Sequence, residues 1–426
     1  ILFLVFLLSA RLIISGHGVL PYVFPLAAYG LTVAVLFGAE PALVSSLSLA
    51  ILVAYGYPNA LDLTLYYALS SFFGVLTLGR GQRILTFFWA GAVIASSGSL
   101  VAIAFRLPLP ETDWVGITTL VGAALLNGTA SASLAVLLQF FLAQLLGMTT
   151  ALQLLEISRP DHPLLQFALR NAPGTYQHSL QVANLAEQAA EHIGADALLT
   201  RVGALYHDVG KALNPAFFIE NQMPGNPNPH DQLDPLPSAS IITKHIKDSL
   251  ELARKYRIPR RLQDFMLEHH GTMIARYQYV NAVKAAGGDE SKVDPELFRY
   301  PGPRPRSRET AILMLADGCE ARVRAERPKD TDEMRALIKS VIQNRMSQGQ
   351  LDDTDLTLRD LDAIAESFTT TLRGVYHPRI EYPNLEKTTP SATEAVPTLP
   401  TGAQTAQEAN PSPKSNPPTP APDSSS

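Results

Sequence analysis

The stretch Leu205-Tyr206-His207-Asp208-Val209-Gly210-Lys211 sets an imidazole beside a carboxylate at the end of an apolar helical run. Working outward, other histidines stand in similar company. His178 lies mid-helix beside Val182 and Leu185. His245 follows Ile241 and Ile242, and His269 and His270 follow Phe265 and Met266. Each is therefore near the inward face of its helix, where an unpaired polar group is costly. Asp317 ends the apolar run Leu315-Ala316. Several helices projecting imidazoles and carboxylates into one core is how helical proteins build metal sites, and this donor mixture suits iron, manganese or zinc-type ions. Taken singly, any of these is better read as an ordinary core or surface histidine, and it is the whole set that points to a metal site. His17, His162, His192, His230 and His377 are assigned to that class.

The elements carrying these residues read as helices. Thr175 to His192 has apolar residues on one face and Gly194 as a stop, and Asp196 to Tyr206 continues the pattern. Ser238 is expected to cap a helix through Arg257, and Pro259 to open the next, reaching His270. Further helices are expected over about 306–326, 332–347 and 357–374, with Thr331 and Thr357 as caps. No stretch shows sustained period-two alternation. Asn214 to Pro237 is dense in Pro and Asn and reads as a long loop.

Ahead of this region the chain is apolar and nearly free of charge from Ile1 to about Thr150. A bilayer-spanning helix needs roughly 20 apolar residues. Six candidates run over about 1–16, 20–38, 41–57, 60–79, 84–105 and 114–147, broken by turn or charge signals. With the region after Thr150 in the cytosol, the Arg80/Arg83 loop falls inside and the Glu111/Asp113 loop outside, as the positive-inside rule requires. No span is read as carrying an internal Asp, Glu or Lys, so the bundle is expected to anchor or transmit a signal rather than to transport. Ile1 already lies in an apolar run, with neither Met nor a signal peptide before it. The chain is therefore expected to be a fragment whose N-terminal part is missing.

The remaining composition narrows the function classes. The net charge of −5 offers no nucleic-acid surface. The single cysteine, Cys319, excludes an internal disulfide and a cysteine-rich zinc site. The last residues are Pro, Ser, Thr and Ala with hardly a large apolar side chain, too little to offset chain entropy. The expected organisation is all-α: a polytopic transmembrane helix bundle at 1–147, a linker at 148–170, an all-helical domain at 171–383 and a disordered tail at 384–426.

A wider set of motifs surrounds the opening stretch. It comprises Ala172-Pro-Gly-Thr-Tyr-Gln-His178-Ser, Phe218-Ile-Glu-Asn-Gln222, Asn228-Pro-His-Asp231, Glu268-His-His-Gly-Thr272, Arg299-Tyr-Pro-Gly-Pro303 and Leu315-Ala-Asp317. With His207-Asp208-Val-Gly-Lys211 these resemble the bacterial seven-transmembrane HD-domain family, the PgpH-type cyclic di-AMP phosphodiesterases, over roughly residues 1–383. The resemblance implies an HD metallophosphohydrolase domain on the cytosolic side of a bacterial cell membrane, with the bilayer and cyclic di-AMP as partners and no nucleic-acid polymer. A homodimer is left open. It also implies a binuclear site of two divalent transition-metal ions, iron or manganese. His178, His207, Asp208 and Asp317 would hold one ion; Asp208, His245, His269 and His270 would hold the other, with Asp208 bridging. Family members carry an extracellular domain before the bundle, and that domain and the first span are expected to belong to the missing N-terminal part.

The implied reaction opens cyclic di-AMP to linear pApA by a two-metal hydroxide mechanism. Two cations offset the anionic diester, lower the pKa of a water and steady the departing oxygen. Asp208 is central to it, and Lys211 could reach a phosphate oxygen or could be a solvated lysine at a helix end. Asn221, Gln222 and Asn228 would read an adenine edge or hold the loop, the second being favoured. Among rivals, the HD-GYP branch needs a Gly-Tyr-Pro motif after the paired histidines, and Gly271-Thr-Met-Ile follows here. Other readings are an HD nucleotide hydrolase of different specificity and a receptor whose HD domain only binds nucleotide. The complete ligand set argues against the receptor.

Overall fold

The computed structural model describes residues 1–375 apart from 59, 80, 82, 109, 111, 112 and 224. The expected tail at 384–426, the last residues of the expected domain up to 383, and His377 lie outside the described residues, as do Arg80 and Glu111 of the orientation argument.

The apolar region forms α1 (Leu2–Ile14), α2 (Leu20–Val23), α3 (Ala27–Phe37), α4 (Ala39–Ala54), α5 (Ala60–Leu78), α6 (Ile84–Arg106) and α7 (Trp114–Leu146). Four stretches, Leu20–Phe37, Ala60–Leu78, Ile84–Arg106 and Trp114–Leu146, are long and apolar enough to cross a membrane. The other two expected spans form the shorter apolar helices α1 and α4, of 13 and 16 residues. At about 1.5 Å per residue these reach roughly 20 and 24 Å, short of the roughly 30 Å hydrocarbon core. Pro25 lies between α2 and α3, where its missing N–H interrupts the helical ladder. The N-terminus of α7 is capped by Asp113, whose Oδ1 accepts from Gly116 N at 2.7 Å. Helices α6 and α7 approach backbone to backbone at Gly91 and Gly128, where a Cβ on either glycine would run into the other's carbonyl oxygen.

One expectation about this bundle is overturned. Asp62 is an internal acidic side chain, buried in the first turn of α5, with Tyr22 Oη donating to its Oδ2 at 2.6 Å. In sequence Asp62 sits at the edge of an apolar run and resembles a flanking charge. The turn into α2 lays Tyr22 over it and removes it from solvent.

The second region follows as α8 (Ala151–Ile157), α9 (Pro163–Asn171), α10 (Pro173–His192), α11 (Ala197–Tyr206), α12 (Pro235–Lys255), α13 (Arg260–Glu268), α14 (Arg276–Ala285), α15 (Arg308–Glu326), α16 (Thr331–Ser347) and α17 (Leu358–Val375). Short 3-10 turns fill the expected 214–237 loop. Among the described residues there is no strand, and β pairing is limited to the isolated bridge between Ile274 and Arg299. Helix α15 is the axis of the core. Six successive residues, Ala311 to Ala316, are buried, so this helix is covered on all sides. Its N-terminus carries a reciprocal capping box between Ser307 and Thr310.

Helix boundaries differ from expectation in three places. Helix α12 begins at Pro235, and Ser238 is buried within it, its hydroxyl 2.7 Å from His230 Nδ1. Asp234 offers the start and Pro235 needs no N–H partner in the first turn. Asp330 rather than Thr331 caps α16, accepting from Glu333 N at 2.8 Å. Helix α13 ends at Glu268, leaving His269 and His270 in the turn beyond it.

Candidate metal centre

The seven candidate ligands are presented by five parts of this helical core. His178 projects from the buried face of α10, shared with Thr175, Val182 and Leu185. His207 ends α11, and Asp208 follows it into a 3-10 turn. That turn packs directly on α12. Gly210 N donates to Ser249 Oγ at 2.8 Å, and a Cβ at Gly210 would run into His245 O. The glycine of the motif is thus what lets the His207-Asp208 turn sit against the helix carrying His245. His269 and His270 enter from the end of α13, and Asp317 from the central α15. All seven are brought to one place. Ligand atoms of His178, His207 and Asp317 lie within 4.8 Å of one another, as do those of Asp208, His245, His269 and His270. Either group could hold a metal ion.

The backbone orients three of the rings. Nδ1 of His207 is 2.7 Å from Ala204 O, that of His245 is 2.6 Å from Ile242 O, and that of His269 is 2.9 Å from Met266 O. A carbonyl oxygen only accepts, so each Nδ1 donates, and a neutral ring keeps a bare Nε2. Those bare nitrogens converge. Nε2 of His245 and of His269 are 3.3 Å apart, and they lie 3.3 and 3.6 Å from Asp208 Oδ1. The other carboxylate oxygen, Oδ2, faces His207 Nε2 at 3.1 Å and His178 Nε2 at 4.0 Å. Asp208 Oδ1 and His207 Nε2 are buried with no hydrogen-bond partner among the described residues. Acceptors crowded together away from water are unfavourable unless a cation sits among them. The donor set therefore fits metal ions, and nitrogen with carboxylate oxygen suits iron, manganese or zinc.

Protonation follows the same logic. Burial, together with the neighbouring His269, pushes His245 down to about 4, so its ring is neutral at physiological pH. Burial likewise takes His270 well below its usual value, with His269 adding to the effect. Burial opposes ionisation of Asp208 and Asp317, but His207 and Lys211 for the first, and His178 for the second, hold both well below the usual carboxylate range. His178 is the exception among the rings. Burial acts to lower it, yet the bonds to Asp317 and Glu320 raise it to about 10.

Two carboxylates to which sequence reasoning gave no role complete the arrangement. Glu320 is buried, and its Oε2 is 2.7 Å from His178 Nδ1. It holds that nitrogen's proton and leaves Nε2 turned toward Asp317, 3.0 Å away. Spacing was its signal: Glu320 lies one turn after Asp317 on the same face of α15. Glu220 accepts from Lys211 Nζ at 3.0 Å, while the same nitrogen is 2.8 Å from Asp208 Oδ2. Lys211 is therefore paired twice, and the two carboxylates raise its pKa against the effect of burial. The loop amides have structural partners. Asn221 bonds Thr175 through both ends of its amide, Gln222 donates to Ala216 O and Asn228 Oδ1, and Asn228 also accepts from His230 N.

Two cavities open from this centre. One of about 370 Å³ is lined by His178, Lys211, Phe218 and His245. A larger one, about 950 Å³, runs from His270, Tyr300 and Asp317 to Asn344 and Arg345 on α16. His270, Tyr300 and Asp317 border both.

Comparison with known proteins gives matches over both regions. Residues 175–322 match the HD domain family, and residues 1–150 match the family described as 7TM receptor with intracellular HD hydrolase. The chain is 38% identical over 374 residues to the Cyclic-di-AMP phosphodiesterase PgpH of Bacillus subtilis (strain 168), covering 86% of this chain and 52% of that one. It is 34% identical over 367 residues to the protein of the same name from Listeria monocytogenes, covering 85% and 50%. The crystal structure of the L. monocytogenes phosphodiesterase PgpH HD domain in complex with Cyclic-di-AMP is 41% identical, covers 51% of this chain and 100% of its own, and has a TM-score of 0.49. The chain spans about half the length of the curated relatives it matches.

Proposed function

The chain belongs to the seven-transmembrane HD-domain family, and from that premise we propose that it is a membrane-anchored, metal-dependent phosphodiesterase that hydrolyses cyclic di-AMP to linear pApA. Its catalytic domain, residues 171–383, faces the cytosol of a bacterial cell, and the bundle at 1–147 crosses the membrane six times, the short α1 and α4 being accommodated by flanking residues and local thinning of the bilayer. The names of the two relatives support the substrate.

The observation that carries the reading is the division of Asp208. One carboxylate oxygen faces His245 and His269 and the other faces His207 and His178. Asp208 would bridge two divalent ions, iron or manganese, with His178, His207 and Asp317 on one side and His245, His269 and His270 on the other. Bound there, the two ions would offset the charge of the diester, activate a water and steady the departing oxygen. The chain's own residues do the rest. Backbone carbonyls keep the Nε2 lone pairs of His207, His245 and His269 turned inward. Glu320 holds the His178 ring in place. Lys211 steadies the Asp208 carboxylate, and an ammonium has three protons, so one remains to meet a phosphate oxygen in the smaller cavity. His178, His207, Asp208, His245 and His269 are buried, which strengthens the charge interactions among them.

The test is product analysis. The purified chain in detergent, reconstituted anaerobically with iron(II) or manganese(II), is incubated with cyclic di-AMP and, separately, cyclic di-GMP. Linear pApA should accumulate, and chelation should stop it. A metal-loaded protein that leaves cyclic di-AMP intact would overturn the reading.

A further inference from the structure

A cyclic dinucleotide carries two phosphodiesters in one ring. When one is held at the metal centre, the other remains anionic nearby. Resting on the function proposed above, we propose that Arg345, on α16, holds the phosphate that is not cut.

The larger cavity has the room, and its cations differ in how committed they are. Arg322 pairs with Glu326 one helical turn away. Arg276 is exposed at the rim. Arg345 is partly buried and makes no ion pair among the described residues. Its Nη1 donates to Asn344 Oδ1 at 3.1 Å, and its buried Nε has no hydrogen-bond partner. Burial pushes the guanidinium below its usual value, with Asp317 acting weakly against that. An arginine nonetheless stays charged in a protein. A partly desolvated guanidinium whose buried Nε has no acceptor is unfavourable by itself and favourable once an anion arrives.

The position is also right. Arg345 Nη2 lies 3.3 Å from where a Cβ at Gly318 would stand, so the missing side chain there leaves the guanidinium its place. Gly318 directly follows Asp317, one of the candidate metal ligands. Arg345 therefore borders the metal centre on the side of the larger cavity. Lys211 borders it on the side of the smaller one, already paired with Asp208 and Glu220. A guanidinium fork matches two phosphate oxygens at once.

The experiment compares the manganese-loaded full chain in detergent with Arg345→Ala, Arg345→Lys and Arg345→Gln. Two substrates are used: cyclic di-AMP, and bis(p-nitrophenyl) phosphate, a diester with a single phosphate. Arg345→Ala should raise KM for cyclic di-AMP by at least about tenfold, with the lysine variant between it and the parent. Turnover of the single-phosphate diester should stay within about twofold. Calorimetric titration of the metal-free proteins with cyclic di-AMP should show the same loss of affinity and a shallower salt dependence. Unchanged KM and Kd in the variants, or equal losses on both substrates, would overturn the assignment of Arg345 alone. The glutamine variant decides the matter if the alanine variant does not fold. A parent that cleaves the single-phosphate diester but neither binds nor cuts cyclic di-AMP would remove the proposed substrate, and the role of Arg345 with it.

Discussion

Asp208 and Lys211 stand three residues apart, and the structure gives them unequal weight. Asp208 is buried, faces both groups of imidazoles and has one oxygen without a hydrogen-bond partner among the described residues. Its replacement by alanine should disturb both groups, whereas loss of His178 or His269 disturbs one. We expect Asp208→Ala to lose more turnover of cyclic di-AMP than any single histidine variant, and to bind less than one metal ion per chain by elemental analysis. Lys211→Ala should be milder, on the order of 10²-fold in kcat, because a charge is lost rather than a ligand. Asp208→Ala turnover within about tenfold of the parent, with circular dichroism unchanged, would end the bridging role. At this scale much was readable in advance. Imidazoles beside Val182, Ile242 and Phe265 announce an inward-facing set because polar groups on apolar faces need partners. Glu320 was not read, since an acidic residue on a helix is unremarkable until its neighbour across the fold is known.

Among the elements, α9 shows how a short helix is tied to the centre. His162 caps it, Nδ1 accepting from Leu164 N at 3.3 Å, and its ring meets Tyr206 edge-on. Tyr206 Oη donates to Ile157 O at 2.6 Å, and the next residue is His207. Burial holds His162 below its usual 6.5. A histidine depressed in the fold binds its proton more readily when unfolded, so its contribution is full above about pH 6.5 and fades as pH falls through the lower folded value. Protonation also removes the capping acceptor. The thermal midpoint of the parent should therefore drop more steeply between about pH 7 and pH 5 than that of His162→Asn, which caps without titrating. Parallel curves would show that this histidine does not sense pH. Of the elements themselves, α10, α11, α15 and α17 were legible from periodicity and caps. Helix α12 starts earlier than foreseen, because Ser238 resembles a cap in sequence but spends its hydroxyl on His230. Helix α14 was not foreseen: its apolar residues are not gathered on a buried face, and only Gln278 in it is buried.

For the whole molecule, charge at the loops sets how the bundle sits in the membrane. With six crossings and the catalytic domain in the cytosol, Pro110→Cys should react with an impermeant maleimide from outside intact cells and Arg83→Cys should not. Cys319 is buried and gives no background. The reverse pattern would sink the six-span topology. Composition and periodicity alone were enough for the broad plan, an apolar helical half followed by a polar helical half with a histidine-rich core. Those properties act locally: hydropathy acts over one helix length, and side-chain facing repeats every three to four residues. Folding decided the rest, because it depends on groups far apart in the chain. Asp62 became buried when Tyr22 closed over it, α6 and α7 met through Gly91 and Gly128, and the oxygens of Asp208 were divided between rings from α10, α11, α12 and the turn after α13. Arg345 acquired its place at the cavity only because Gly318, on another helix, has no side chain to fill it.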